Sequence, residues 1–218
     1  MGLDMYLYRV NKIQNEENAK KRFSGKLDHE IEDAGYRAFY IEEGKYNPEL
    51  SDLMPYLTKI DDVRVQCVDE EKIMREYNLP EDAYRCGWGF SDGNIDFMYA
   101  FESAGDRDIK DFHLPISEFE KKFVYEKPTT AAICQIEEVA YWRKFYDLQE
   151  ALHLGYREDR EKEREETGQT TPVDIENCGY HAMTESMWEA LKEYDKDVYR
   201  KLHGTENDDE KIFYYEWY

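Results

Sequence analysis

The chain has 218 residues, enough to bury a substantial core. Its 50 Asp plus Glu outweigh 29 Lys plus Arg, for a formal net charge of -21. A surface this acidic repels nucleic acid and anionic membranes, because the contacts that dominate such binding need Lys and Arg. Aromatics at 15 % of residues, including 19 Tyr and 4 Trp, argue for a folded chain despite its low hydropathy. No run is apolar enough to span a bilayer, and Met1-Gly2-Leu3-Asp4 lacks the basic and apolar regions of a signal peptide, so an intracellular protein is expected. Cys67, Cys86, Cys134 and Cys178 are widely separated and read as reduced thiols.

Met5 to Val10 alternates like a strand, and the polar stretch Asn11 to Lys26 reads as a loop or short exposed helix. Tyr36 to Ile41 lies between Gly35 and Gly44 as a second strand. Pro48, with Leu50, Leu53, Met54 and Leu57 on one face, predicts a short helix that Pro55 disturbs. Val63 to Val68 alternates strictly, and Asp69 then caps a helix from Glu70 to Tyr77. Arg85 to Phe90 and Asn94 to Phe101 flank Ser91-Asp92-Gly93, a hairpin signal. Gly87 and Gly89 around Trp88 match no phosphate loop and read as room for the indole or as a bulge.

Arg107 to Leu114 and Lys122 to Tyr125 supply further strands, with Ser117 capping a helical turn between them, and Thr130 to Ile136 is either a strand or the start of the next helix. That helix is placed from Glu137 to about Leu154, because Val139, Trp142, Tyr146 and Gln149 fall on one helical line and Tyr141, Phe145, Leu148 and Leu152 on its neighbour. Gly155 is its expected stop. Tyr141, Trp142 and Arg143 read either as a core aromatic pair beside a solvated base or as a stacking or phosphate-binding cluster. Residues 156–171, charged throughout their middle, form an exposed helix extension or linker. A second helix starts at Thr184 and runs with Met187, Leu191, Tyr194, Val198 and Leu202 on one face to Gly204. Ile212 to Tyr218 is a terminal strand docked in the sheet. The sum is a single α+β domain over 1–218, a mostly antiparallel sheet with two or more packed helices and a charged protruding segment.

Chemistry-bearing groups are sparse. Cys178 and His181, three apart before a helix, have the types of a nucleophile and its base, and define the enzymatic alternative, a small hydrolase or nucleotide-processing enzyme. The plainer reading is a half-buried Cys near a cap. Asp106, Asp108, Asp111 and His113 carry metal-ligand types but neither the glycine turn nor the terminal Glu of a calcium loop, so no metal and no cofactor is expected. His153 and His203 suit helix C-termini.

Three stretches, Met1-Gly2-Leu3-Asp4-Met5-Tyr6-Leu7, Glu138-Val139-Ala140-Tyr141-Trp142-Arg143-Lys144 and Asn177-Cys178-Gly179-Tyr180, resemble recurring patches of a family of small, largely uncharacterised bacteriophage and prophage proteins. In that family an Asn and an Ile-His pair typically follow Tyr-Trp-Arg-Lys, whereas this chain continues Phe145-Tyr146-Asp147-Leu148-Gln149. The resemblance implies a mobile-element origin and carries no activity over to particular residues. Joined to the acidity, it gives the expectation of a cytoplasmic accessory protein that binds a host protein and no nucleic acid directly. In its sharpest form this is an inhibitor of a restriction or CRISPR effector that mimics DNA in a basic groove. Glu158, Asp159, Glu161, Glu163, Glu165 and Glu166, with Glu206, Asp208, Asp209 and Glu210, are the expected contact acids. If the acidity serves solubility alone, these side chains carry no partner.

Overall fold

The structure, a computed structural model, describes residues 2–40, 47–103, 106–168 and 172–218. The expected strand end at Ile41 and the tail of the charged segment, 169–171, lie outside these. The fold is α+β with antiparallel sheets, as the residue pattern predicts. The chain divides into two compact units, Met1–Val63 with Thr129–Tyr218, and Arg64–Pro128. The division follows the apolar residues. Ile73, Ile95, Phe97, Tyr99, Phe119 and Phe123 close a core of their own in the second unit, and the other three apolar clusters belong to the first.

In the first unit β1 (Asp4–Asn11) lies between β7 (Val124–Arg143) and β9 (Glu210–Trp217), with β2 (Tyr36–Tyr40) outside β7 and β8 (Tyr180–Ala182) outside β9. A further strand, β3 (Thr58–Val68), also pairs with β7. One face of this sheet carries Met5, Leu7, Ile212 and Tyr214 into a core with α5 (Tyr146–Thr167), α6 (Glu185–Tyr194) and α7 (Lys196–Leu202). On the other face Leu50 and Leu53, from two 3-10 turns at Pro48–Leu50 and Met54–Tyr56, cover Val10, Cys134 and Phe213. Two short helices, α1 (Glu16–Phe23) and α2 (Asp28–Asp33), pack Ala19, Phe23 and Ile31 on Ile60, Val63, Ala131 and Ile133.

The stretch 137–143, expected as the start of the helix, is instead the end of strand β7. β7 pairs with β1 from Asp4↔Arg143 to Leu7↔Ala140, then slips so that Tyr8 faces Glu138, leaving Val139 as a bulge. The extra residue breaks the two-residue alternation that would identify a strand, and the interrupted pattern imitates a helical period. Residues facing β1 directly settle the matter: Ala140 and Trp142 pack with the helices, whereas Tyr141 points to the opposite face. Lys144 turns the chain with φ 55 and donates its N–H to the Leu3 carbonyl at 2.8 Å.

Gly155 does not end α5 but lies buried within it, and the helix runs on to Thr167 with Gly168 as its left-handed cap. A Cβ at 155 would meet the backbone carbon of Ser186 at 2.8 Å and the Met187 nitrogen at 2.9 Å, so glycine is what lets α5 and α6 touch. The expected single helix from Thr184 to Leu202 is two. Asp195 leaves helical geometry at φ -142 and accepts from the Val198 N–H at 3.1 Å, with its other oxygen taking the Trp142 indole N–H at 3.0 Å. Thr184 caps α6, as expected.

The second unit is a three-stranded meander, β4 (Tyr84–Ser91), β5 (Asn94–Ser103) and β6 (Asp106–Pro115), packed on α3 (Glu70–Glu76) and α4 (Ile116–Phe123). Asp92 and Gly93 take φ 48 and 78, the turn that Asp-Gly predicts. The register slips between Arg85 and Gly87, so the expected bulge falls there. Pro115 precedes α4 without a side-chain cap, in place of Ser117, and α4 continues through Lys122 and Phe123 where a strand was expected. Asp69 caps α3 by accepting from Lys72 N–H at 2.9 Å.

Replacing Gly155 with Ala sets a helix-propensity gain of about 1 kcal/mol against overpacking, which costs about 1–3 kcal/mol. Since the obstructing atoms are backbone, overpacking wins. Gly155→Ala is expected to lower the denaturant midpoint at constant slope, whereas a raised midpoint would show that α5 and α6 do not pack this closely.

Candidate functional site

Four tyrosines from four adjacent strands make one row across the first unit's sheet. The register pairs Tyr141 of β7 with Tyr6 of β1, Tyr6 with Tyr215 of β9, and Tyr215 with Tyr180 of β8. Directly paired residues project from the same face, so all four share the side opposite α5. Ring centroids are 5.0 Å apart for Tyr6 and Tyr141, 6.0 Å for Tyr6 and Tyr215, and 4.9 Å for Tyr180 and Tyr215. Tyr8 fills the next rank, stacked on Tyr6 at 5.6 Å and edge-on to Tyr215 at 5.9 Å. Exposure grades along the row, from buried Tyr180 to Tyr141 at 46 %.

The hydroxyls of this face remain protonated at neutral pH. The hydrogen bond that Tyr141 donates to Asp4 at 2.7 Å raises its pKa, and desolvation followed by the charges of Asp4 and Glu138 raises that of Tyr6. Burial raises Tyr8 and Tyr180, with the nearby Arg37 charge acting in the opposite sense. Tyr215 is raised by burial and by its hydrogen bond with the Cys178 side chain. The surface is therefore ring faces with hydroxyl donors at their tips, beside the guanidiniums of Arg37 and Arg143. Three stretches far apart in the chain meet here, supplying Tyr6, Tyr141 and the Cys178–Tyr180 pair.

Cys178 and His181 are not brought together. Cys178 precedes β8 rather than a helix, with φ 64, and sits by Tyr215. His181 pairs in register with Tyr214 and so projects to the α5 side, edge-on to the Tyr156 ring at 5.1 Å. Its Nε2 accepts from the Glu176 N–H at 2.9 Å, and burial lowers its pKa, keeping it neutral. Asp106 and Asp108 face Ser103 and Phe101, while Asp111 and His113 face Met98 and Asp96 from the other side of β6, so they do not converge. Among the described residues no group of three or more His, Cys, Asp or Glu is placed to hold a metal.

The expected contact acids divide. Asp159 accepts from both the N–H and the hydroxyl of Ser186 at 2.8 Å, tying α5 to the start of α6. Glu163 is held by Arg160 at 2.7 Å, Glu206 accepts from Ile212 N–H at 2.9 Å, and Glu210 pairs with Arg9 at 2.9 Å. These four serve the fold. Glu158, Glu161, Glu165, Glu166, Asp208 and Asp209 are exposed and form no ion pair with a described residue.

Behind the tyrosine row lies a polar cluster that sequence reasoning missed. Glu216, the alternate neighbour of Tyr215, is fully buried, and its Oε2 accepts from Tyr214 at 2.7 Å and from Gln149 and His153 of α5 at 2.9 Å each. Burial alone would raise this carboxyl, but the hydrogen bonds from His153, Tyr214 and Gln149 hold it below the ordinary value. Beside it Asp52 pairs with Arg160 at 2.5 Å and accepts from Ala182 N–H at 3.0 Å and Tyr156 at 3.2 Å, joining α5, β8 and the 3-10 segment. The only available signal was a lone acid in the apolar run Ile212 to Tyr218. His153, expected at a helix end, lies mid-helix and completes this cluster. No helix of the described residues is long and apolar enough to cross a membrane. Comparison with known protein families, curated proteins and solved structures yields no match.

A carboxyl whose folded pKa is depressed stabilises the fold above its unfolded value near 4.5, and the contribution is lost as pH falls through the folded value. Glu216→Gln is expected to lower stability at neutral pH by about 1.5–3 kcal/mol and to flatten its decline below pH ~4.5. Equal pH dependence in variant and wild type, followed by chemical denaturation, would contradict an ionised Glu216.

Proposed function

We propose that this chain acts by protein binding, as a phage- or prophage-encoded accessory protein that engages a host protein through the tyrosine row. The row is the observation that carries the reading. Tyrosine offers large contact area at low conformational cost and ends in a hydroxyl, and it is enriched at the centres of protein interfaces. With a net charge of -21, the partner that fits is basic. The sharpest form is an acidic, DNA-mimic-like inhibitor of a host nucleic-acid-handling defence enzyme, of anti-restriction or anti-CRISPR type.

The division of the acids refines this form. Glu158, Glu161 and Glu165 follow one exposed line of α5 and, with Glu166, Asp208 and Asp209, are the carboxylates left for a partner. Arg157, Lys162 and Arg164 interrupt that helix, so the acids supply attraction and on-rate more than a continuous copy of a phosphate backbone.

A tagged protein incubated with host lysate at low and high salt, with mass spectrometry of what is retained, tests the reading. Recovery of a basic nucleic-acid enzyme released by salt is expected. Tyr141→Ala, which truncates the most exposed ring of the row, is expected to weaken it by about 2 kcal/mol, roughly thirtyfold in Kd. Neutralising the six exposed acids is expected to reduce the salt dependence. Capture of nothing at either salt, or capture indifferent to both changes, would overturn the proposal.

A further inference from the structure

Gly89 is inside β4, yet no described residue asks for glycine there. A Cβ built on it meets no heavy atom within 4 Å, and its backbone is not in the left-handed region. Gly87, two residues earlier, has an internal reason: its Cβ would meet Met98 Cε at 2.5 Å. Glycine weakens a strand, and where no bulge or neighbour explains it, it marks the close approach of a ligand or another chain.

The space over Gly89 is a groove of about 440 Å³ bordered by Met98, Asp96, Asp111 and His113. Asp96 pairs across the strands with Gly89 on one side and His113 on the other, and Asp111 pairs with Met98. Met98 is 39 % exposed, so the groove offers apolar surface to solvent, whereas Trp88 pairs with Phe97 and projects its ring from the other face of the strand. The Asp96 carboxylate is held in place by His113 Nδ1 at 2.5 Å and by the Ser91 hydroxyl at 3.1 Å, contacts that keep it ionised. Asp111 forms no ion pair with a described residue.

We propose that this groove receives a lysine or arginine side chain presented by a partner protein. The methylene stem lies over Gly89 against Met98, and the cation meets Asp96 and Asp111. Charge complementarity selects the occupant: two carboxylates border a strip of apolar surface, which suits a side chain with an apolar stem and a cationic head. The site stands on residues of the second unit alone and does not depend on the tyrosine row.

The test is NMR titration of the ¹⁵N-labelled full chain with N-acetylarginine amide, and with the neutral N-acetylcitrulline amide as control. Saturable shifts at residues 88–98 and 111–113 with the arginine probe, weaker with citrulline, are expected. Gly89→Val fills the groove while leaving every carboxylate in place, and is expected to abolish those shifts. Asp111→Asn, a surface change that tests the site should Gly89→Val fail to fold, is expected to weaken binding about threefold to fivefold. Unmoved groove amides, equal affinity for citrulline, or binding indifferent to both substitutions would overturn the proposal.

Discussion

The arrangement of the first unit depends on one buried carboxylate. Glu216 is fully enclosed, and an ionised carboxylate is tolerated in such a place only when hydrogen bonds replace its water. Tyr214 supplies one from β9 itself, whereas Gln149 and His153 supply the others from α5. Moving α5 along the sheet would strip two of the three donors at once. Apolar packing between Leu148, Leu152, Tyr214 and Met187 favours burial without choosing a register, and the carboxylate chooses it.

This choice reaches the opposite face through the strand itself. Tyr214 and Glu216 point toward α5, so Tyr215 between them must point away, and its pairing with Tyr6 and Tyr180 sets the row. The bulge at Val139 does the same for β7: it lets Ala140 and Trp142 face the helices while Tyr141 joins the tyrosines. Core cluster and tyrosine face are two sides of one register. The exposed acids of α5 lie farther along the helix that Glu216 fixes, with Arg160 anchoring it to Asp52 on the way.

Strands were legible where alternation or a turn signal marks them: β1, the part of β3 from Val63, the β4–β5 hairpin and β9 fall where hydrophobicity and the Asp-Gly turn put them. The stretch 137–143 was not, because a single bulged residue erases the period on which strand recognition relies. Gly155 and Asp195 misled for a related reason. Glycine ends helices through its freedom at positive φ, but here it serves close packing of α5 on α6, and Asp195 breaks a continuous apolar stripe to cap a new helix. Of the candidate site, the tyrosine count was visible and the row was not, since it exists only after four strands are paired. The charged stretch 157–166 showed its acids but not that Asp159 is engaged by Ser186, because that partner depends on packing between helices.

The central claim, that the tyrosine face is the contact surface, is tested most directly by hydroxyl-radical footprinting of the chain alone and with its captured partner. Radical oxidation reads tyrosine rings individually. Tyr146 at 57 % and Tyr194 at 39 % exposure, which lie outside the row, serve as internal controls. The account predicts that the partner protects Tyr6, Tyr8, Tyr141 and Tyr215 while the controls oxidise as before. Protection of Tyr146 and Tyr194 with the row unchanged would contradict it and place the partner on the helical side.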